Sequence, residues 1–445
     1  MIDVKIPSNN IEERSYAVRM VLGHFLGLDY TLHKEHIEQT EICWGDNRVI
    51  FSDVLWKGDM PLSYLCEDNF PRVRQYSTYL APEGNIPALY SNGEFEVSDN
   101  TIKCPIDVFA SVFFMLTRWE EYVNKKRDEY GRFVGIESVA YMNHFLDRPI
   151  VNEYAEMVWN ILKEIGFNKE RKTTQFELVP THDIDHPFMK KRILKSFYYV
   201  TKSLLKLDLS SVRCYIKDLF RDPYDVFNFF MDCSESIGVK SRFYFMSADP
   251  GTGVKHDSPY MADSRFARIV NSIKSRGHIV GFHPGVFSQE STEAWSVEKS
   301  ILENKTGVTI EEGRQHYLCF SIPNSFLCWE TNRMKIDSTL SYHDIEGFRC
   351  GTGMSYPVFN ILERKEYALM ERPLVVMDAT LTGYRQYNLE KIKEVLQYYL
   401  NVGRKYKMPI TILFHNSSFI GNNGNKLKTI YRELFKQISN ESSIS

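Results

Sequence analysis

The sequence predicts an α/β protein in two parts, a smaller α+β region followed by a longer region of parallel strands joined by helical crossovers. Two observations carry that reading. The texture of the chain changes near residue 170, beyond which short β-rich runs alternate with amphipathic helical stretches. The positions just after those runs are crowded with imidazole, carboxylate and guanidinium groups, and such strand ends are where parallel α/β sheets gather their ligands. The expected boundaries are residues 1–170 and 171–445. A length of 445 residues suits this partition, since domains usually hold about 100–200 residues.

In the first part, residues 12–28, 106–130 and 152–166 have helix-like apolar spacing and frame short strand candidates at 41–44 and 47–51. In the second part the strand candidates are 175–181, 239–246, 278–282, 308–318, 374–378 and 410–414. Between and after them run helical stretches at 189–207, 223–237, 265–276, 292–302, 389–406 and 427–437. No repeat of 20 to 50 residues is present, which removes solenoids and propellers.

Composition excludes several classes. Hydrophobic residues at 43% and charged residues at 25% fit a folded globular chain, not a disordered one. A formal net charge of -3 offers no chain-wide basic field for nucleic acid. Eight cysteines without a CxxC pair suit reduced thiols. The first residues carry an early acid and no apolar core of secretory length, and no stretch reaches 18 apolar residues, so a cytoplasmic location is expected. Aromatic content of 14% points to large packed cores or a platform for flat ligands such as sugar rings.

The chemistry-bearing groups stand at strand ends. Asp183 and Asp185, two apart at the end of the first strand, point to one side of an extended backbone, close enough for one to ligate a metal while the other takes a proton. Two such carboxylates side by side call for a cation or a proton between them. Alternatively one caps the following helix and the other is solvated. His283 follows residues 278–282 and is held by Pro284-Gly285, a rigid turn able to aim an imidazole. His415 follows the last strand, as a general acid or as a residue supporting one. Asp378 suits orienting His415 or pairing with Arg314, or a surface turn.

The series Thr181-His182-Asp183-Ile184-Asp185, then Gly277-His278-Ile279-Val280-Gly281-Phe282-His283, then Arg314, then Ile412-Leu413-Phe414-His415-Asn416 resembles the ordered motifs of the polysaccharide deacetylase family. This is the NodB-homology group, carbohydrate esterase family four. The resemblance spans roughly residues 172 to 440, about 60% of the chain. The stretch before it, with Phe113-Phe114-Met115-Leu116-Thr117-Arg118-Trp119-Glu120-Glu121-Tyr122, resembles an accessory domain of unknown role that precedes such domains in Bacteroidetes-type proteins. The resemblance implies a distorted (β/α)7 barrel that removes N-acetyl or O-acetyl groups from sugars, most often at a carbon–nitrogen bond. It also implies a divalent metal, zinc first, with cobalt, nickel or manganese as alternatives. Carried over, Asp183 is the base, Asp185 and His283 are metal ligands, Arg314 orients the base, and His415 is the acid.

The family's second motif supplies another histidine four residues after the first, and Phe287 stands there instead. His316 is the first candidate to replace it, two residues from Arg314 and on the same face of the strand. His186 is the second. The segment Asp337-Ser338-Thr339-Leu340 and the following Gly347-Phe348-Arg349-Cys350-Gly351-Thr352-Gly353 resemble the loop lining the substrate side of related deacetylases. Arg349 there suits either anion recognition or a staple within the loop.

From Met189 to Asp222, nine Lys or Arg against three Asp give a net of +6, interleaved with Ile193, Leu194, Phe197, Leu204, Leu205 and Leu207. A basic amphipathic helix of this kind usually has a solvated basic face, but it also suits peripheral contact with an anionic membrane or a lipid-linked substrate. The sequence thus favours a metal-dependent deacetylase of an acetylated sugar or polysaccharide. The competing readings are a silent carbohydrate-binding scaffold that lost its metal, and a glycosidase using Asp183 with a distant carboxylate.

Overall fold

The structure, a computed structural model, describes residues 2–442 apart from 59, 190–191, 248–259, 287 and 289–290. Its first strands are β1 (Ile2–Pro7), β2 (Tyr30–Glu35), β3 (Thr40–Trp44), β4 (Asn47–Phe51), β5 (Arg74–Ser77), β6 (Asn85–Ala88), β7 (Glu96–Ser98) and β8 (Thr101–Cys104). Six of them form a mixed sheet in the order β2-β1-β3-β4-β8-β7, and β5 and β6 pair separately. In β1, Ile2, Val4 and Ile6 face inward while Asp3 and Lys5 are half-buried, the period-two pattern of a strand covered on one face.

The helices of this part are α1 (Ile11–Val18), α2 (Val108–Thr117), α3 (Trp119–Val123), α4 (Val139–Met142) and α5 (Ile150–Glu164). All ten residues of α2 are buried, as befits a helix apolar on every side. The single helix expected over 106–130 breaks at Arg118, whose φ of 52° is left-handed. The break lets the buried Arg118 side chain donate to Glu120, Glu121 and Tyr342. The helix expected over 12–28 is α1 followed by wider π-type turns at Arg19–Phe25.

A second sheet holds β9 (Glu177–Ile184), β10 (Arg242–Phe245), β11 (Ile279–Phe282), β12 (Glu312–Gly313), β13 (Ile336–Asp337), β14 (Tyr356–Asn360), β15 (Lys365–Glu371), β16 (Leu374–Met377) and β17 (Pro409–Leu413). Its order is β14-β15-β13-β12-β11-β10-β9-β17-β16, and every pairing is parallel except β14 with β15. The helices around it are α6 (Arg192–Leu205), α7 (Leu209–Phe220), α8 (Phe227–Glu235), α9 (Ser264–Ser275), α10 (Thr292–Thr306), α11 (Asn324–Thr331), α12 (Leu389–Lys405) and α13 (Gly421–Ser442).

This is the α/β architecture expected, but the sheet is a curled half-barrel without ladder closure. Irregular backbone fills the gap. Leu374 N donates to the Leu340 carbonyl and Gly347 N to that of Val375, so the loop after β13 ties onto β16 where a closing strand would lie. The antiparallel β14 takes the other edge and is fixed to the first part, where Tyr16 Oη donates to the Pro357 carbonyl and Tyr356 Oη to that of Leu116.

Three expectations change in detail. The strand expected over 308–318 is assigned only at Glu312–Gly313, although extended backbone continues: Arg314 N donates to the Phe282 carbonyl and His316 N to that of Pro284. The helix expected over 189–207 is the first arm of a hairpin, α6 and α7. Strands β13 to β15 and helix α11 were not foreseen, because two-residue strands and an edge hairpin carry too short a pattern to read.

The two sheets lie on either side of residue 170 in sequence, yet one continuous apolar core runs from Ile2 to Ile438. Polar contacts reinforce it. Arg349 donates to Glu121 through Nε (2.9 Å) and Nη2 (2.5 Å), and Arg364 donates to Glu13 at 2.7 and 2.8 Å.

Candidate metal centre and its pocket

The carboxyl ends of β9, β11, β12, β16 and β17 converge on one cavity of about 390 Å³. Its wall includes Asp183, Asp185, His283, His316 and His415, with Arg132, Tyr317, His343, Met377 and Tyr384 around them. Close strand contact makes this convergence fit. A Cβ on Gly313 would collide with the Phe282 carbonyl, so only glycine lets β12 approach β11 and bring Arg314 beside Asp183.

Arg314 is fully buried and held by four hydrogen bonds. Nε donates to the Ser338 carbonyl (2.7 Å), Nη2 to Ser338 Oγ (2.9 Å), and Nη1 to Thr181 Oγ1 (2.9 Å) and Asp183 Oδ1 (2.8 Å). Asp183 is thereby fixed through one oxygen, while Oδ2 lies 3.8 Å from His283 Nδ1. Thr181 and Ser338, one strand-end residue on each side, orient the guanidinium that orients the carboxylate.

Asp185, His283 and His316 form a group whose ligand atoms all lie within 4.8 Å of one another. His283 Nδ1 stands 2.7 Å from the Arg314 carbonyl, which only accepts, so the proton belongs on Nδ1 and the Nε2 lone pair faces Asp185 Oδ1, 3.3 Å away. Both atoms are buried without a hydrogen-bond partner. Two buried acceptors aimed at each other require a positive charge between them, a proton or a cation. His316 Nε2 approaches the same Asp185 oxygen at 3.8 Å. One carboxylate and two imidazoles are the donor set that borderline divalent metals prefer, and a histidine whose other nitrogen donates to a carbonyl is the usual metal-ligating form.

The ionisation tendencies agree. Burial works against a charged Asp185, but the imidazoles of His283, His316 and His415 outweigh it and hold its carboxyl far below the usual range. Burial opposes a charge on His283, yet Asp183 and Asp185 raise its pKa. Burial lowers His316 to about 4, which keeps its ring neutral and available as a donor of electrons.

His316 owes its position to the chain around it. Gln315 is extended, which sets Arg314 and His316 two apart on one side, as the sequence reading anticipated. The chain then turns sharply through Tyr317 and Leu318, with φ of 56° and 55°. Left-handed conformations at bulky residues cost of order 1 kcal/mol each and collect at functional sites. His186 lies outside the group; its carbonyl accepts from Asn416 Nδ2 at 3.0 Å. Phe287 lies outside the described residues.

Opposite the triad, Asp378 holds His415 at two points: its Oδ2 accepts from His415 N (2.8 Å), and its Oδ1 lies 2.7 Å from His415 Nδ1. Ser418 Oγ and Ala379 N also donate to Asp378. Asp378 therefore belongs to His415 and not to Arg314 or a surface turn. Burial opposes charge on His415, but Asp378, with Asp185 and Asp183 beyond it, lifts its pKa to about 10. The neighbouring His182 is different. Stacked on Phe230 with ring centroids 3.6 Å apart and pushed down to about 3 by burial, it is a packing residue.

Two expectations about the substrate side change. Residues 337–340 do not line the cavity; Ser338 anchors Arg314, and Thr339 Oγ1 accepts from Gln315 N at 3.0 Å. Arg349 is buried on Glu121 and the Ser341 carbonyl, so it staples the loop to the first part of the chain and recognises no ligand.

The wall that sequence reasoning missed comes largely from far along the chain. Arg132, from before residue 170, donates to Asp128 Oδ2 (2.8 Å), the Tyr317 carbonyl (3.1 Å) and Tyr384 Oη (3.3 Å). It lies on a tight turn in which Asp128 Oδ1 accepts from Tyr130 N and Arg132 N and Gly131 takes a φ of 76°. Tyr130 packs on Tyr317 with ring centroids 5.4 Å apart. His343 packs against Tyr384 with centroids 5.0 Å apart. The D-x-x-G spacing before Arg132 signals a turn, but nothing local says that the turn reaches this cavity.

Comparison with known proteins gives two findings. Residues 2–166 match a family model described as a family of unknown function, DUF7033. Among solved structures, a chain described as "Crystal structure of putative polysaccharide deacetylase from Mycobacterium smegmatis" aligns at 15% identity with a TM-score of 0.38, covering 61% of this chain and 91% of that one. No curated protein matches the chain.

Proposed function

We propose that this protein is a metal-dependent hydrolase that removes acetyl groups, most readily N-acetyl, from a sugar or polysaccharide intermediate. The carrying observation is the cavity itself. An Asp-His-His group whose buried acceptor atoms face each other unpartnered sits between a carboxylate fixed by arginine and an imidazole fixed by a carboxylate.

Asp185, His283 and His316 would hold the metal. A divalent ion there supplies Lewis acidity toward the acetyl carbonyl and an acidified water. Asp183, held at Oδ1 by Arg314, keeps Oδ2 to take the proton from the attacking water. His415, protonated at neutral pH because of Asp378, faces the cavity to give a proton to the departing amine. His415 thus carries the proton that acyl transfer to water with an amine leaving group requires. The exposed rings of Tyr317 and Tyr384 on the cavity wall, with Tyr130 packed against Tyr317, would give a sugar ring apolar faces to lie on.

The test is metal analysis of the purified chain together with acetate release from N-acetylated sugar oligomers. About one zinc-class ion per chain, lost on Asp185→Ala or His316→Ala together with acetate release, is the expected result. A chain that holds no divalent metal at this group, or whose hydrolysis is indifferent to chelators, overturns the reading.

A further inference from the structure

The hairpin of α6 and α7 is inside out. Its most buried positions are small and polar, Ser196, Ser203 and Ser211; Val200, Val212 and Leu219 are half-buried, and the two arms meet through a Tyr199–Tyr215 stack with centroids 5.0 Å apart. Most of its large apolar side chains point to solvent. On α6 these are Ile193, Leu194, Phe197, Tyr198, Leu204 and Leu205, and on α7 Leu209, Ile216 and Phe220. The three most exposed are Leu207 (87%) and Leu205 (82%) at the tip and Phe220 (84%) at the base of α7. Ordinary surface helices of soluble proteins bury such residues and turn lysine and serine outward. The basic side chains Lys195, Lys202, Lys206, Arg213 and Lys217 are exposed, as the sequence favoured, and the apolar ones share that exposure.

Charge says what covers this face. Lys195, Lys202, Lys206, Arg213 and Lys217 flank the apolar side chains, and Met189–Asp222 as a whole carries +6 in a chain of net -3. Apolar side chains ringed by lysine and arginine match the two layers of an anionic lipid surface: acyl chains below, phosphates above. No helix among the described residues is long and apolar enough to cross a membrane, so the element suits seating in the interface.

The hairpin is also rooted at the site. It leaves the sheet directly after β9, the strand that carries Asp183 and Asp185. Met189 N donates to Asp222, which closes its base. Asn422 and Asn425 at the start of α13 donate to Ser210 and Cys214 on α7. Asn416, next to His415, donates to the carbonyls of His186 and Tyr224, which precede and follow the hairpin.

We propose that the α6–α7 hairpin docks this protein onto an anionic lipid bilayer, leucine tip inserted and flanking lysines on the phosphates. The full chain is tested by co-sedimentation with vesicles of phosphatidylcholine alone and of phosphatidylcholine mixed equally with phosphatidylglycerol. Binding is expected only to the mixed vesicles, weakening with salt. The double substitution Leu205→Glu with Leu207→Glu should lower it about tenfold or more, and Lys202→Glu with Lys206→Glu should remove the preference for anionic lipid. These side chains are exposed, so both variants should melt like the parent. A Leu207→Trp variant should show a blue shift of its emission on binding. Failure to bind mixed vesicles, binding unaffected by the leucine changes, or a dimer that Leu205→Glu with Leu207→Glu converts to a monomer without any lipid affinity would each overturn the proposal, the last by assigning the face to a second copy.

Discussion

The cluster around Glu121 and the cluster around Asp185 are made of similar materials, a carboxylate among buried groups able to carry positive charge, and differ in how fully they are paired. Around Glu121, Arg118 and Arg349 each reach the carboxylate, Glu120 takes the other arm of Arg118 and Val139 N, and Tyr342 accepts from Arg118. Among the described residues of that cluster only Arg118 Nη1 lacks a partner. Around Asp185, Oδ1 of the carboxylate, Nε2 of His283 and Nδ1 of His316 are all buried without one. A paired network fixes structure; a cluster short of positive charge is a place for something else to bind. The difference separates a staple from a site without reference to any family.

The largest effects should therefore have opposite characters. Replacing Glu121 by Gln leaves Arg118 and Arg349 buried with their carboxylate gone, and breaking a buried pair in this way typically costs about 3–5 kcal/mol. Chemical denaturation should show that loss while metal content per folded chain stays unchanged. Asp185→Asn should do the reverse, leaving stability unchanged or raised in metal-free protein and removing metal binding and hydrolysis. If both variants lose stability alike, the distinction between the clusters fails.

The staple also has a sign in pH. Burial opposes ionisation of Glu121, but Arg349 and Arg118 outweigh it and bring its pKa from 4.5 down to about 2. Its contribution is fully present above about pH 4.5 and is lost as pH falls toward 2. Denaturation of the parent and of Glu121→Gln should therefore converge as the solution is acidified through that window. A stability gap that stays constant as pH falls from 6 to 3 would show that the carboxylate charge is not what the arginines hold.

A smaller effect belongs to the other pair at the cavity, His415 and Asp378. With Asp378 present, His415 keeps its proton to about pH 10. Asp378→Asn removes the leading cause of that rise, so the alkaline limb of hydrolysis should move to lower pH. Losing a partner that orients such a group costs about 10- to 100-fold in activity. A metal at Asp185 would pull the limb down in both proteins, which leaves the direction of the difference intact. An unmoved limb would take the acid role away from His415.

How much of this was legible follows from where the information lies. Asp183, Asp185, His283, Arg314 and His415 were readable because each stands at the end of a strand whose apolar run announces it. His316 was readable because extended backbone repeats every two residues. The half-barrel closure was not, since Leu340 and Gly347 close it with single hydrogen bonds from irregular backbone. Arg349 was open between ligand and staple because its partner, Glu121, is 228 residues away in sequence. The hairpin's charge was visible, but not that its apolar side chains are left exposed beside it, since helical spacing of apolar residues predicts their burial and only the packed structure shows otherwise.

The smallest expected effect tests whether the first part of the chain belongs to the site. Arg132 spans Asp128, Tyr317 and Tyr384, and Tyr130 lies against Tyr317, so residues 128–132 hold one side of the cavity mouth. Tyr130 itself is exposed, and its ring adds a flat apolar face without touching the triad. Tyr130→Ala should raise KM for a sugar oligomer several-fold, in line with about 0.5–1.5 kcal/mol for a lost aromatic contact, with kcat and metal content unchanged. Tyr130→Phe should restore KM, because the ring and not the hydroxyl makes the contact. A loss in kcat with KM unmoved would mean that this turn only props Tyr317 and the His316 backbone beside it. A rise in KM rescued by phenylalanine would make residues on both sides of position 170 parts of one substrate-binding surface.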